Sequence, residues 1–279
     1  MEKGIKSKSP IGIFDSGYGG LTIYEKIKHL LPEYDYIYLG DNARAPYGTR
    51  SFETVYNFTL EAVKYLFSRG CPLIILACNT ASAKALRTIQ QNDLPTIDSQ
   101  KRVLGVIRPT VEVLNEKTNS GHIGVLATPG TIKSGSYDIE IHKQNPEFTV
   151  VGQECPMWAS LIENNEINNP GTDYFIQRDL NSLLEKDSLI DTVILGCTHY
   201  PIISHKIREH LPANVLLLEQ GDIVAQSLQD YLKRHPEMEE RLSKNSEVEF
   251  LTTEDAKKFD RSTSLFLNEK IKSKQITLN

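Results

Sequence analysis

No stretch of this chain gathers lysine and arginine into a block, and 31 basic residues are outnumbered by 36 acidic ones, a formal net charge of −5. That balance argues against partners held through their phosphates, so neither nucleic acid nor a membrane surface is expected. No apolar run approaches the roughly 18 residues of a membrane span, and the opening MEKGIKSKSP has no apolar signal core. Residues 1–9 read as a short disordered lead-in. Cysteine is scarce, four in 279 residues with no CxxC spacing, which fits a reducing cytoplasm better than a disulfide scaffold. The glycine-rich DSGYGG (15–20) lacks dinucleotide or P-loop spacing, so a nucleotide site is not expected.

What is present is a strict alternation of short apolar runs and helical patterns. PIGIF (10–14), YIYLG (36–40) and PLIILA (72–77) read as buried strands, and LPTI (94–97) as a further one. Between them, Leu21–Leu31 reads as a helix, and Ser51 caps another whose Val55, Phe58, Val63, Leu66 and Phe67 recur at helical spacing before Gly70. DNARAPYGTR (41–50) is a long polar loop. A second round follows, with GHIGVLA (121–127), Phe148–Val151 and TVILG (192–196) as strands. Ile11 precedes Cys78 by 67 residues and Ile123 precedes Cys197 by 74, each interval opening on a strand and a polar turn. Two related halves are therefore expected. The predicted fold is α/β, two similar doubly wound parallel-sheet domains with the site in the cleft between them. The expected boundaries are 1–104 for the first domain, 105–214 for the second, and 215–279 as a return segment completing the first. In that segment VLLLE (215–219) and EVEFLTT (247–253) are its strands.

The four cysteines separate by position. Free cysteine is commonly a small buried hydrophobe, and Cys71, just before Pro72 at a strand start, fits that description. Cys155, in a turn at a helix start, is intermediate. Cys78 and Cys197 each end a buried strand, beside the polar residues Asn79–Thr80 and Thr198–His199, where a helix N-terminus favours thiolate. The carboxyl ends of strands are where α/β sheets place ligands. Taken singly, DSGYGG could be only a tight turn, PYG an ordinary turn tripeptide and His199 a structural hydrogen-bonder. Cys78, Cys197, His199 and Asp15 could also form a zinc set.

Seven motifs resemble glutamate racemases in order and spacing: IGIFDSGYGGLT (11–22), YLGDNARAPYGTRS (38–51), ILACNTASA (75–83), GVIRPT (105–110), IGVLATPGT (123–131), ECPMWASLIE (154–163) and VILGCTHYP (193–201). The likeness covers nearly the whole chain. ECP stands where the family has Ala-Cys-Pro, and DSQKRVL (98–104) reads as an extra or altered linker. The resemblance implies a cofactor-independent interconversion of L- and D-glutamate, with no metal, supplying D-glutamate to peptidoglycan from a cytoplasmic homodimer. It implies that Cys78 takes the proton of the D-enantiomer and Cys197 that of the L-enantiomer. Asp15 would assist Cys78, His199 would assist Cys197, and Glu163 and Asp41 would be further acids near the site. Substrate would be held by Asp15, Ser16, Pro46, Tyr47, Gly48, Asn79, Thr80, Thr128, Thr198 and His199. The rivals are an aspartate or hydantoin racemase and a two-lobed amino-acid-binding protein. His199 argues against the aspartate enzyme, which typically carries Glu there.

Overall fold

The strand at the head of the chain shows why the sheets are parallel and doubly covered. Ile11–Asp15 (β1) is buried at all five positions, a pattern suited to a sheet with helices on both faces. Ile11 and Ile13 face one apolar core, while Phe14 faces another. The computed structural model describes residues 8–267 and 269–278. In chain order the other strands are Tyr36–Gly40 (β2), Leu73–Leu76 (β3), Arg102–Gly105 (β4), His122–Ala127 (β5), Thr149–Glu154 (β6), Thr192–Gly196 (β7), Leu216–Leu218 (β8), Val248–Thr252 (β9) and Ser273–Gln275 (β10).

They form a six-stranded sheet, β10-β9-β2-β1-β3-β4, and a four-stranded sheet, β6-β5-β7-β8, with every pairing parallel. Within the first, β2-β1-β3-β4 has the order of β6-β5-β7-β8 in the second. Phe14 pairs with Leu76 as Leu126 pairs with Leu195, so Cys78 and Cys197 follow equivalent strands two residues beyond equivalent pairs. Both sit beside a point where strand order reverses, the crevice in which such sheets bind ligands. One apolar core runs under both sheets, joining Ile75 and Ala77 of the first to Val193 and Leu195 of the second.

Several expectations need correction. LPTI is the short helix Leu94–Ile97, which continues without a break from the π-helical turn Ile89–Asp93 just ahead of Pro95. DSQKRVL is no simple linker: its last residues enter β4, which pairs with β3. VLLLE does not complete the first half. Its residues Leu216–Leu218 pair with β7 in the second sheet, as β4 pairs with β3 in the first. The chain returns only with the helix Gly221–Arg234, which packs on the helix Leu21–Leu30, and with β9, which pairs with β2. Of the lead-in, residues 1–7 lie outside the described residues, whereas Ser9 is bridged to Leu242.

Candidate active site

Cys78 is both the end of a strand approach and the cap of a helix. Its Sγ accepts from the Ala81 N–H at 3.4 Å, capping the helix Asn79–Lys84, and lies 3.3 Å from Ser16 Oγ. Burial, then the nearby Asp15 charge, pushes this thiol up to about 12 despite those two hydrogen bonds. Cys78 at rest therefore carries its proton.

Cys197 has different company. Its Sγ lies 3.8 Å from His199 Nδ1, and His199 Nε2 lies 2.8 Å from Glu163 Oε1. Burial opposes charge on the imidazole, yet the hydrogen bonds and charges of Cys197 and Glu163 raise its pKa well above the ordinary histidine value. The result is a three-residue line, Glu163–His199–Cys197, ending on the sulfur.

Between the two thiols lies a pocket of about 670 Å³, counting its open mouth, lined from both halves. Ser16, Pro46, Tyr47, Gly48, Asn79 and Thr80 come from the first sheet's side, and Thr128, Glu163, Thr198 and His199 from the second's. Thr80 Oγ1 lies 2.9 Å from Thr128 Oγ1, joining the halves at the rim. Asp15 stands behind this wall and is fully buried. Its carboxylate accepts from the Gly17 N–H at 2.7 Å and from Thr198 Oγ1 at 3.3 Å. Burial raises its pKa, more than offsetting the pull of His199 and the Gly17 and Gly20 N–H groups. Asp15 thus reaches Cys78 through its charge, and the hydroxyl beside that sulfur belongs to Ser16. Asp41 is likewise set back: it accepts from Arg44 Nε at 2.7 Å, from Thr253 Oγ1 at 2.8 Å and from the Tyr47 hydroxyl. It anchors the loop that carries Pro46, Tyr47 and Gly48. Cys155 is buried, its sulfhydryl directed at Gln153 O. Among the described residues no group of three His, Cys, Asp or Glu side chains is placed to hold a metal ion.

The family described as Asp/Glu/hydantoin racemase matches residues 11–228, most of the chain and both thiols. The chain belongs to that family. This racemase is 38% identical over 276 residues to the glutamate racemase of Dinoroseobacter shibae, across 95% of this chain and 98% of that one. Its fold superposes on a glutamate racemase of Francisella tularensis solved in complex with D-glutamate, with a TM-score of 0.86, 34% identity and 98% of each chain covered. A glutamate racemase isoform from Bacillus anthracis gives a TM-score of 0.87 at 33% identity, over 97% of this chain and 98% of that one.

Sequence reasoning missed some of the racemase's pocket. Thr49, Pro129, Pro156 and Ser160 also line it. Ser160 stands three residues before Glu163 on the helix Trp158–Glu163, and that spacing alone would have put both on one face. Gln220 and Tyr137, which bond to Asn79 from behind, left no such trace.

Proposed function

We propose that this racemase interconverts L- and D-glutamate by a two-base mechanism that uses no cofactor. The observation that carries the reading is the placement of Cys78 and Cys197 at equivalent strand ends of two sheets, both lining one pocket. Inverting Cα requires a proton removed from one face and another delivered to the opposite face, which a single fixed base does not do. In this reading Cys197 is the base toward L-glutamate and Cys78, resting as a thiol, is the acid. The roles exchange for D-glutamate. His199 hands charge to or from Cys197, with Glu163 holding the ring. Asp15 serves Cys78 through the field it sets there.

The substrate brings two carboxylates and an ammonium, all of which lose water on entering, so they need polar partners. Ser16, Asn79, Thr80, Thr128 and Thr198 offer hydroxyls and an amide, Tyr47 and Gly48 offer backbone, and Pro46 forms wall. Glutamate is favoured because the proteins named above, which this chain matches almost end to end, are glutamate racemases. D-Glutamate so formed feeds peptidoglycan synthesis, and we place the enzyme in the cytoplasm as a homodimer.

Racemisation of pure L-glutamate in D₂O, stopped at low conversion, tests the scheme. Two bases put deuterium on Cα of the D-product and leave the recovered L-glutamate protiated. Substantial deuterium in the unreacted L-enantiomer means one base serves both faces. Faster turnover of aspartate than glutamate would overturn the substrate.

A further inference from the structure

We infer that Gln220 is a positioning residue that fixes which way round the Asn79 amide sits in the pocket. Asn79 lines the cavity, but both ends of its amide are held from behind. Nδ2 donates to Gln220 Oε1 at 2.6 Å, and Oδ1 accepts from the Tyr137 hydroxyl at 2.7 Å. Gln220 Nε2 donates to the same Tyr137 oxygen at 2.9 Å, closing a ring of three side chains. All three are almost wholly buried.

The ring has one sense, set by a backbone carbonyl. Thr110 Oγ1 donates to Val106 O at 2.8 Å, which uses its only proton, so it accepts from Gln220 Nε2, also at 2.8 Å. With its amino end committed to Thr110 and Tyr137, Gln220 turns its oxygen to Asn79. Asn79 must then offer nitrogen to Gln220 and oxygen to Tyr137. Turned over, Asn79 would set oxygen against oxygen at Gln220 and leave the Tyr137 proton without an acceptor, both costly where water is excluded. The members come from four places: the helices Asn79–Lys84, Ile107–Glu112 and Ser136–Gln144, and the turn after β8. Gln220 thus ties a pocket residue of one half to two helices of the other.

Asn79 Nδ2 donates one N–H to Gln220 and keeps a second that no described residue accepts. A carboxylate needs a donor, and a turned amide would present its oxygen instead. The inference rests on the reading that Asn79 holds substrate. If so, Gln220 acts on binding through Asn79 and not independently of it.

A double-mutant cycle tests this. Gln220→Leu, of similar volume, should lower kcat/KM for both enantiomers by about 10- to 100-fold, mainly through KM. In an Asn79→Ala background the same change should cost less than about threefold. Tyr137→Phe removes one hydroxyl and keeps the ring. It should show a smaller loss that also vanishes in the Asn79→Ala background, and it decides the matter alone if Gln220→Leu does not fold. Losses that multiply in full in the Asn79→Ala background, or wild-type KM in both Gln220→Leu and Tyr137→Phe, would overturn the inference while leaving the role of Asn79 intact. An Asn79→Ala enzyme with unchanged kcat/KM would overturn that role, and the inference with it.

Discussion

Gly19 and His199 approach so closely that no side-chain carbon fits between them: a Cβ on Gly19 would lie 2.4 Å from His199 Nδ1 and 2.5 Å from Thr198 Oγ1. The turn after β1 therefore presses its backbone against the residues that follow Cys197. Replacing Gly19 with alanine must push His199 away from the Cys197 sulfur. We expect kcat to fall about 100-fold or more, the scale of a positioned proton-transfer group. The overpacking should cost about 1–3 kcal/mol of stability. A circular-dichroism racemisation assay and a melting curve read the two effects. Near-normal kcat in folded Gly19→Ala would show that the His199 position is not set by this contact.

Glu163→Gln removes the carboxylate at the far ring nitrogen of His199 while keeping its size. Because that carboxylate helps to raise the imidazole's pKa against burial, the midpoint should fall. A histidine raised in the folded state stabilises most at low pH, and that contribution is lost as pH rises through the folded value. Glu163→Gln should shrink this slope, and turnover should drop by about 10- to 100-fold. Proton NMR of the His199 ring, followed over pH in both enzymes, checks the direction. An unmoved midpoint would remove Glu163 from the line to Cys197.

Asp15→Asn should separate activity from stability. Asp15 is almost fully buried, and its folded carboxyl titrates above its unfolded value. The folded state therefore keeps the proton to higher pH, and stability declines as pH rises through the window above about 3.9. Asparagine carries no such penalty, so the variant should melt higher than wild type at neutral pH and lose that advantage in acid. Each kcal/mol gained corresponds to about 2–4 °C in a domain of 150–250 residues. Activity should nevertheless fall. At the equilibrium between enantiomers kcat/KM must fall together in both directions, so the assignment to Cys78 is read from isotope effects: Asp15→Asn should enlarge the one on D-glutamate, and His199→Asn the one on L-glutamate. Equal effects in both directions for both variants would reassign the residues to binding or to the fold.

Asp41→Asn should act on binding. The buried Asp41 carboxylate holds Arg44, Tyr47 and Thr253 at once, and Arg44 in turn lies 4.0 Å over the Phe58 ring. Neutralising it loosens the loop that presents Tyr47 and Gly48, at a cost of about 1–3 kcal/mol. We expect KM to rise about tenfold with kcat changed less. A drop in kcat at constant KM would place Asp41 in the chemistry instead.

The positions of the two thiols were legible because strand ends are written locally, as an apolar run, a glycine or alanine, and then polar residues. The parallel α/β architecture was legible for the same reason. Which edge a strand joins is not written in that way. VLLLE carries the composition of a buried strand and nothing that says whether it lies beside β7 or β2; only the repeated strand order shows that β8 answers to β4. Arg102–Gly105 was obscured by its polar flank, since an edge strand tolerates charge. The residues behind Asn79 were invisible for a different reason. Tyr137 and Gln220 lie 58 and 141 residues from it in sequence, and neither sits in a motif. Asp15 and Asp41 were found as acids, but their distance from the pocket depends on side-chain packing that no local pattern records.

The two sheets differ in how they are assembled from the chain. The four-stranded sheet uses one uninterrupted span, from His122 to Leu218, whereas the six-stranded sheet waits for Val248–Thr252 to cover the flank of β2. During synthesis the first half thus exists for a time with Tyr36–Gly40, an apolar and wholly buried strand in the finished protein, open along one edge. Open apolar edges recruit other strands. A ribosome that stops before residue 248 releases a nascent chain that already contains both thiols and every pocket residue, yet one whose central sheet is ready to pair with a neighbour's.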